Sequence, residues 1–337
     1  MKMTTKNATI KDVAKRAGVS TATVSRVINK SGYVSKEKEA LINEVIREVG
    51  FHHNKLARSL STKRTNMIAL MIGDITNPYY PQLTLGVEET ANKYDYKVIL
   101  CNIAGDPEKE KRYINDLMSL RIDAMIIAQS RVEKDYYLNE MKLPIPVVTL
   151  DEQIIIPNSD RVLIDHKKGA FDITTYLINA GYERIAHISG PADLLTAQQR
   201  ADGYFEALEN HGRRRLNQLI RKSEYTIEGG REAMNSLLDL QNRPDAVFAA
   251  NDMIAIGAMD VIKQRHLKIP EDIAVAGFDD ILFTRMTEPR LTTVAQPTHQ
   301  IGAMAMQIII DRLGNSNDSL EPRTIILQPS ISVREST

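Results

Sequence analysis

Eight short apolar runs, divided by amphipathic segments, constrain this chain more than any other feature. They are Met67–Gly73, Lys97–Asn102, Ala124–Ala128, Val147–Leu150, Arg161–Ile164, Ile185–Ser189, Ala246–Ala250 and Ala274–Phe278. Runs of this length, too short for core helices, predict buried parallel strands. The segments between them predict helices at Tyr80–Tyr94, Glu108–Leu120, His166–Ala180, Ala197–His211, Gly229–Leu240 and Met253–Gln264. Two successive series of strand and helix predict an α/β core of two doubly wound parallel-sheet lobes. Ligands belong at the carboxyl ends of such strands, in the cleft between lobes.

The stretch Asp74-Ile75-Thr76-Asn77-Pro78-Tyr79-Tyr80 follows the first strand, where a cleft loop should sit. Amide, carboxylate and aromatic side chains suit a polyhydroxylated ligand: the first two take hydroxyl hydrogen bonds and a ring stacks on C–H faces. For Asp74 and Pro78 a capped turn entering a helix is a sufficient explanation.

Ahead of this core, Thr9 to Asn29 reads as two short helices around Gly18. Val13, Ala14 and Ala17 share one face of the first, and Val24, Val27 and Ile28 one face of the second. Gly18 can stop the first helix and Ser20 can cap the second. The outer face of the second helix carries Thr21, Ala22, Ser25 and Arg26, short residues with one long cation. Such a face fits a major groove, where an arginine can donate twice to a guanine edge. On pattern alone an ordinary surface hairpin is an equal alternative. A third helix is predicted over Lys36–Val49, capped by Ser35, ended by Gly50, with Leu41, Ile42, Val45, Ile46 and Val49 facing the core.

Net charge is zero over 337 residues, yet residues 1–65 hold 14 Lys+Arg against 5 Asp+Glu, and the remainder 29 against 38. A basic head on an acidic body suits a head that meets phosphates. Hydrophobic content of 43% with 26% charged residues is ordinary globular composition. The lone Cys101 excludes an intramolecular disulfide framework, and with no secretory leader or long apolar run the expected location is cytoplasmic. His52 and His53 are adjacent and the other histidines scattered, so no metal spacing appears. Neither a P-loop nor a nucleophile elbow is present, and Asp279-Asp280 has no partner pair. No enzyme, metal or cofactor is expected.

The run Thr9–Asn29, continuing through Asn29-Lys30-Ser31-Gly32-Tyr33-Val34-Ser35 and on to the end of the chain, resembles the lac-repressor/gal-repressor (LacI/GalR) family of bacterial transcription regulators. The resemblance implies an all-α helix-turn-helix headpiece at 1–50, a hinge segment at 51–65, and a type I periplasmic-binding-protein-like core at 66–337. In that core the chain crosses between lobes three times. Lobe 1 is expected at about 66–164 and 294–325, and lobe 2 at about 165–293 and 326–337. Thr21, Ala22 and Arg26 are expected to contact bases, with Lys11, Ser20 and Asn29 on the DNA backbone. Thr9, Thr23, Ser25 and Asn54 complete the expected DNA-binding set. From its residues, 51–65 reads as a basic linker. The resemblance implies a hinge helix on DNA, with Leu60 as a minor-groove wedge beside Ala57 and Arg58. His53 stands where the family usually has proline.

For the cleft the resemblance points to Asn77, Tyr79, Tyr80, Arg200, Asp252 and Asp279 as effector-binding residues, with Ser130, Arg131, Asp151 and Gln296 as further candidates. Asp252 could also cap the helix that it opens. The expected protein is a homodimer, since the lac repressor's tetramerising C-terminal heptad helix is absent. It would bind a pseudo-palindromic operator under control of a small sugar, sugar acid or sugar phosphate. Control by a phosphorylated partner protein, and a pure solute-binding role, are the alternatives, and induction and corepression are both open.

Overall fold

In the computed structural model, the described residues are 8–29, 31–51, 64–132, 136–137, 143–150, 156–314 and 321–337. The chain divides into two compact units, Met1–Thr65 and Asn66–Thr337.

The first unit contains helices α1 (Ile10–Ala17), α2 (Thr21–Asn29) and α3 (Lys36–Val49). Helices this short need help at their ends. Thr9 and Asp12 form a reciprocal capping box, in which the Thr9 backbone N–H donates to Asp12 Oδ2 at 2.8 Å. Gly18 (φ 65°) closes α1 in the left-handed region. The Ser20 hydroxyl oxygen accepts the Thr23 N–H at 3.1 Å, and Ser35 caps α3 through the Lys38 N–H. Val13, Ala14, Ala17, Val24, Val27, Ile42 and Val45 form the buried core. The three amphipathic faces therefore close on one another.

The second unit holds two six-stranded sheets. In the first, β1 (Met67–Ile72), β2 (Lys97–Asn102), β3 (Ala124–Ile127), β4 (Val147–Leu150), β5 (Asp160–Ile164) and β11 (Thr324–Leu327) run parallel in the order β11-β5-β4-β3-β1-β2. Helices α4 (Tyr79–Lys93), α5 (Pro107–Ser119) and α10 (Thr298–Gly314) flank it. The second sheet contains β6 (Ile185–Ser189), β7 (Ile220–Lys222), β8 (Ala246–Ala249), β9 (Ala274–Asp279), β10 (Thr292–Ala295) and β12 (Ser330–Ser332). Its order is β12-β10-β9-β8-β6-β7, with β12 alone antiparallel. Helices α6 (His166–Asn179), α7 (Leu195–Asn210), α8 (Ile227–Leu238) and α9 (Asp252–Gln264) belong to this lobe.

The chain crosses between the sheets after β5, after β10 and after β11. Val294 and Ala295 lie in the second sheet, and Ile326 and Leu327 in the first. The second and third crossings thus fall near Gln296-Pro297 and Gln328-Pro329, about two residues beyond the expected lobe limits. Proline cannot donate to a sheet ladder, so it is a natural place for a strand to end.

Helices α4 and α10 pack at backbone distance. A Cβ on Gly302 would come within 2.2 Å of the Leu83 carbonyl oxygen, and one on Gly86 within 2.1 Å of the His299 carbonyl oxygen. Gly302→Ala must push the helices apart. It is expected to destabilise the core by about 1–3 kcal/mol in urea unfolding, whereas Gly314→Ala, with open space around it, should cost little.

Candidate functional site

The headpiece exposes the face expected to meet DNA. Thr21, Ala22 and Arg26 are exposed on α2, Thr23 and Ser25 are half-buried, and Thr9, Lys11 and Ser20 are exposed nearby. Among the described residues Arg26 forms no ion pair, while Arg16 pairs with Glu48 on α3 at 3.1 Å. The Thr9 hydroxyl donates to Asp12 Oδ2 at 2.7 Å, whereas the Ser20 oxygen accepts the Thr23 N–H, a bond that does not use the Ser20 hydroxyl proton. The Asn29 side chain, and Asn54, Ala57, Arg58, Leu60 and His53 of the hinge segment, lie outside the described residues.

In the core, a cavity of about 530 Å³ opens between the lobes. Its walls come from the carboxyl ends of strands in both sheets. Lobe 1 contributes Asn77, Tyr79 and Tyr80 after β1 and Gln129 and Arg131 after β3. Lobe 2 contributes His166, Arg200, Tyr225, Asn251, Asp279 and the crossing residue Gln296. Asn77 opens α4 with its side-chain oxygen accepting the Tyr79 N–H at 3.0 Å, so its amide nitrogen is left for other partners. Tyr80 is buried and donates its hydroxyl to Gln129 Oε1 at 3.1 Å.

Arg200 is the centre of the lobe 2 wall. Its guanidinium is buried and lies 3.8 Å over the Phe278 ring centroid. It pairs with Asp279 Oδ1 at 3.2 Å, donates to the Ala250 carbonyl oxygen at 2.5 Å, and approaches His166 Nδ1 at 3.3 Å. Burial pushes the Asp279 carboxyl above the ordinary range, while Arg200 and the 2.7 Å hydrogen bond donated by Gln296 Nε2 pull it back. Among the described residues Asn251 Nδ2 and Gln296 Oε1 are buried without a hydrogen-bond partner. Asn251 therefore offers unmet donors, and Gln296 an unmet acceptor, in the wall of the cavity. Arg131, whose backbone N–H is fixed by buried Glu110 Oε2 at 2.8 Å, forms an ion pair with Asp193 across the two lobes.

Two of the expected residues lie outside this wall. Asp252 is fully buried and outside the cavity wall: its Oδ1 accepts the Thr293 hydroxyl at 2.6 Å and its Oδ2 the Ile281 N–H at 2.9 Å. Nor does it cap α9, since Asn251 does so by accepting the Ile254 N–H at 2.9 Å. Ser130 is also buried outside the wall, with its hydroxyl oxygen accepting the Val132 N–H at 3.2 Å. Its neighbour Arg131 reaches the cleft instead. Asp151 lies outside the described residues. Sequence reasoning passed over Asn251, Gln129, His166 and Tyr225. Each lies at or just after the end of a strand or at the start of a helix, a position that marks loops in general rather than cleft walls in particular.

Residues 65–332 match the family described as periplasmic binding proteins and sugar binding domain of LacI family, and residues 9–54 match bacterial regulatory proteins, lacI family. The ribose operon repressor of Halalkalibacterium halodurans is 36% identical over 329 residues, covering 98% of this chain and 97% of that protein. The transcriptional repressor CytR of Escherichia coli K12 is 35% identical over 306 residues, 91% of this chain and 90% of that one. Among solved structures, a transcriptional regulator CelR–cellobiose complex is 30% identical with a TM-score of 0.73, over 98% of this chain and 100% of that chain. The lac repressor dimer bound to operator and the anti-inducer ONPF is 23% identical with a TM-score of 0.88, over 98% and 99%, which shows the shared fold. The chain belongs to the LacI family of bacterial transcription regulators.

Proposed function

We propose that this protein is a dimeric repressor of carbohydrate-utilisation genes whose operator affinity is set by a small polyhydroxylated effector bound between the lobes. The observation that carries the proposal is the cleft wall joined, in one chain, to a helix-turn-helix unit. Arg131 and Arg200 are each matched by a carboxylate, while the Asn251 amide nitrogen is left to donate and the Gln296 amide oxygen to accept. Hydroxyl groups both donate and accept, so a sugar can answer both residues. The wall carries Arg131 and Arg200 against Asp74, Glu224 and Asp279, with no excess of positive charge. An uncharged sugar suits it better than a sugar acid or phosphate. Sugars of that kind appear in the names of two similar proteins, a ribose operon repressor and a CelR–cellobiose complex.

On the DNA side, Thr21, Ala22 and Arg26 read base edges while Lys11 and Ser20 set register on phosphates. Arg26→Ala is expected to cost about 1–3 kcal/mol and relax preference at one base pair per half-site. Equal loss on every DNA sequence would make Arg26 a phosphate contact instead.

The test is binding of the full chain to its own upstream DNA at fixed salt, with a panel of sugars, sugar acids and sugar phosphates. Release by one compound identifies an inducible repressor, and tightening identifies a corepressor system. Tight binding indifferent to every compound would support control by a partner protein. Failure to bind any DNA would favour a solute-binding role.

A further inference from the structure

We infer that Arg334, in the C-terminal tail and outside the cleft, is a positioning residue that holds the Asp279 carboxylate at the ligand site by fixing the turn Asp279–Asp280. The inference rests on the reading of the cleft as an effector site.

The turn is unusual backbone. Asp279 has φ 117° and Asp280 has φ 56°, two successive non-glycine residues on the positive side. Such conformations cost free energy and persist only where the surroundings over-determine them. Left alone, a strand end of this kind would relax toward negative φ and carry the Asp279 side chain with it.

Two clamps hold the turn, one on each side. From below, buried Asp252 accepts the Ile281 N–H at 2.9 Å, and the Thr293 hydroxyl fixes its other oxygen at 2.6 Å. A Cβ on Gly277 would stand 2.2 Å from Asp252 Oδ1, so this carboxylate needs the gap that glycine leaves. From outside, Arg334 Nη2 donates to Asp280 Oδ1 at 2.5 Å. Its Nη1 donates to the Leu291 carbonyl oxygen at 2.6 Å and to Thr284 Oγ1 at 3.1 Å. Thr284 in turn donates to Asp280 Oδ1 at 3.0 Å. The other cation on Asp280, Arg285, is 3.5 Å away and largely exposed, so it adds little.

The tail that carries Arg334 is itself fastened. The Arg334 N–H donates to Thr292 Oγ1 at 2.9 Å. Fully buried Ser336 donates its hydroxyl to the Val275 carbonyl oxygen at 2.6 Å and accepts the Thr292 N–H at 2.8 Å. A guanidinium with three partners on a fastened strand end is a rigid fork. It acts on the cleft through Asp280.

The experiment compares the full chain with Arg334→Met, Arg334→Lys and, as a control that removes another cation paired to the same tail, Arg290→Met, whose pairing with Glu335 is exposed at 3.8 Å. Crystal structures report the φ angles of Asp279 and Asp280, and calorimetry with D-ribose as probe reports affinity. Arg334→Met is expected to bring one or both φ angles to negative values and to separate Asp279 from Arg200. D-ribose affinity should fall about tenfold or more, the loss expected when a charge-assisted hydrogen bond to the ligand is misaligned. Operator binding without sugar should be unchanged. Arg334→Lys should recover part of the affinity, and Arg290→Met should match the parent. A variant that keeps both positive φ angles and the Asp279–Arg200 contact overturns the inference. If D-ribose binds none of the proteins, the φ angles still decide it, and that result counts against ribose as the effector instead. Should Arg334→Met not fold, Asp280→Asn, which loses the charge and keeps an acceptor, is read by the same φ angles.

Discussion

Arg200→Ala is expected to abolish the response of operator binding to effector and to destabilise the core by about 3–5 kcal/mol, the usual result of breaking a buried ion pair. Asp279 would keep its burial and lose the cation 3.2 Å away. The Ala250 carbonyl oxygen would lose its donor, and the Phe278 face its stacked guanidinium. Arg200→Lys should restore only part of either property. A lysine ammonium can neutralise Asp279, but it lacks the planar fork that reaches Ala250 and lies flat on the ring. Urea unfolding and operator release by the identified effector check the two effects separately. An Arg200→Ala protein with full stability would show that Asp279 takes up a proton at little cost. One with a normal effector response would remove Arg200 from the ligand site.

Asp160→Ala is the second large effect, at a place far from the cleft chemistry. Asp160 opens β5 and is nearly fully buried. It accepts Arg312 Nε and Nη2 at 2.7 Å each and the Arg323 N–H at 2.8 Å. One carboxylate therefore ties α10 and the start of β11 to the first sheet, across the return of the chain from lobe 2. Its removal leaves the Arg312 fork with little access to water, and the expected loss is about 3 kcal/mol. Burial alone would raise the Asp160 carboxyl, but the Arg312 hydrogen bond, the Arg323 N–H and the two positive charges outweigh it and hold it below the ordinary carboxylate value. The folded pKa is thus depressed. Its stabilisation is complete above the unfolded carboxylate value and is lost as pH falls through the folded one, below about pH 4. The parent protein should lose stability on that acid limb, and Asp160→Ala should lose less there. Parallel acid limbs would mean that Asp160 gains nothing from its partners.

Most of this architecture was legible because local signals and packing agree. Lys36–Val49 has a capping serine, an apolar stripe and a terminal glycine, and α3 has those bounds, although Leu41, expected to face the core, is exposed. Val147–Leu150 and Ile185–Ser189 are short apolar runs, and both are buried strands with those limits. β7 gave no signal, since Ile220-Arg221-Lys222 is an edge strand with little burial. β10 was hidden for the opposite reason: Thr292 and Thr293 are buried polar residues whose hydroxyls find partners only in the tertiary fold, on Arg334 and Asp252.

The cleft was legible to the loop but not always to the residue. Arg200, Asp279, Gln296, Asn77, Tyr79 and Tyr80, all named from the sequence as candidates, line the cavity. Asn251 and Asp252 are adjacent polar residues after one strand, and nothing in their order tells which faces the ligand. The outcome depends on Thr293 and Ile281, which capture Asp252 from another part of the chain. Ser130 and Arg131 present the same ambiguity: the Ser130 hydroxyl oxygen accepts the Val132 N–H, while the Arg131 guanidinium pairs with Asp193 of the other lobe. Adjacent side chains diverge, and only the partners of each decide which one is left for a ligand.

The central claim is that operator and effector compete or cooperate through one protein. It is tested most directly by measuring effector affinity of the full chain with and without saturating operator DNA. Allosteric control predicts a change in effector dissociation constant, by the same factor by which effector changes operator affinity, and of about 5–150-fold for a coupling of typical size. Weaker effector binding on operator marks an inducer and tighter binding a corepressor. An effector that binds the cleft with one dissociation constant, operator present or absent, would contradict the account.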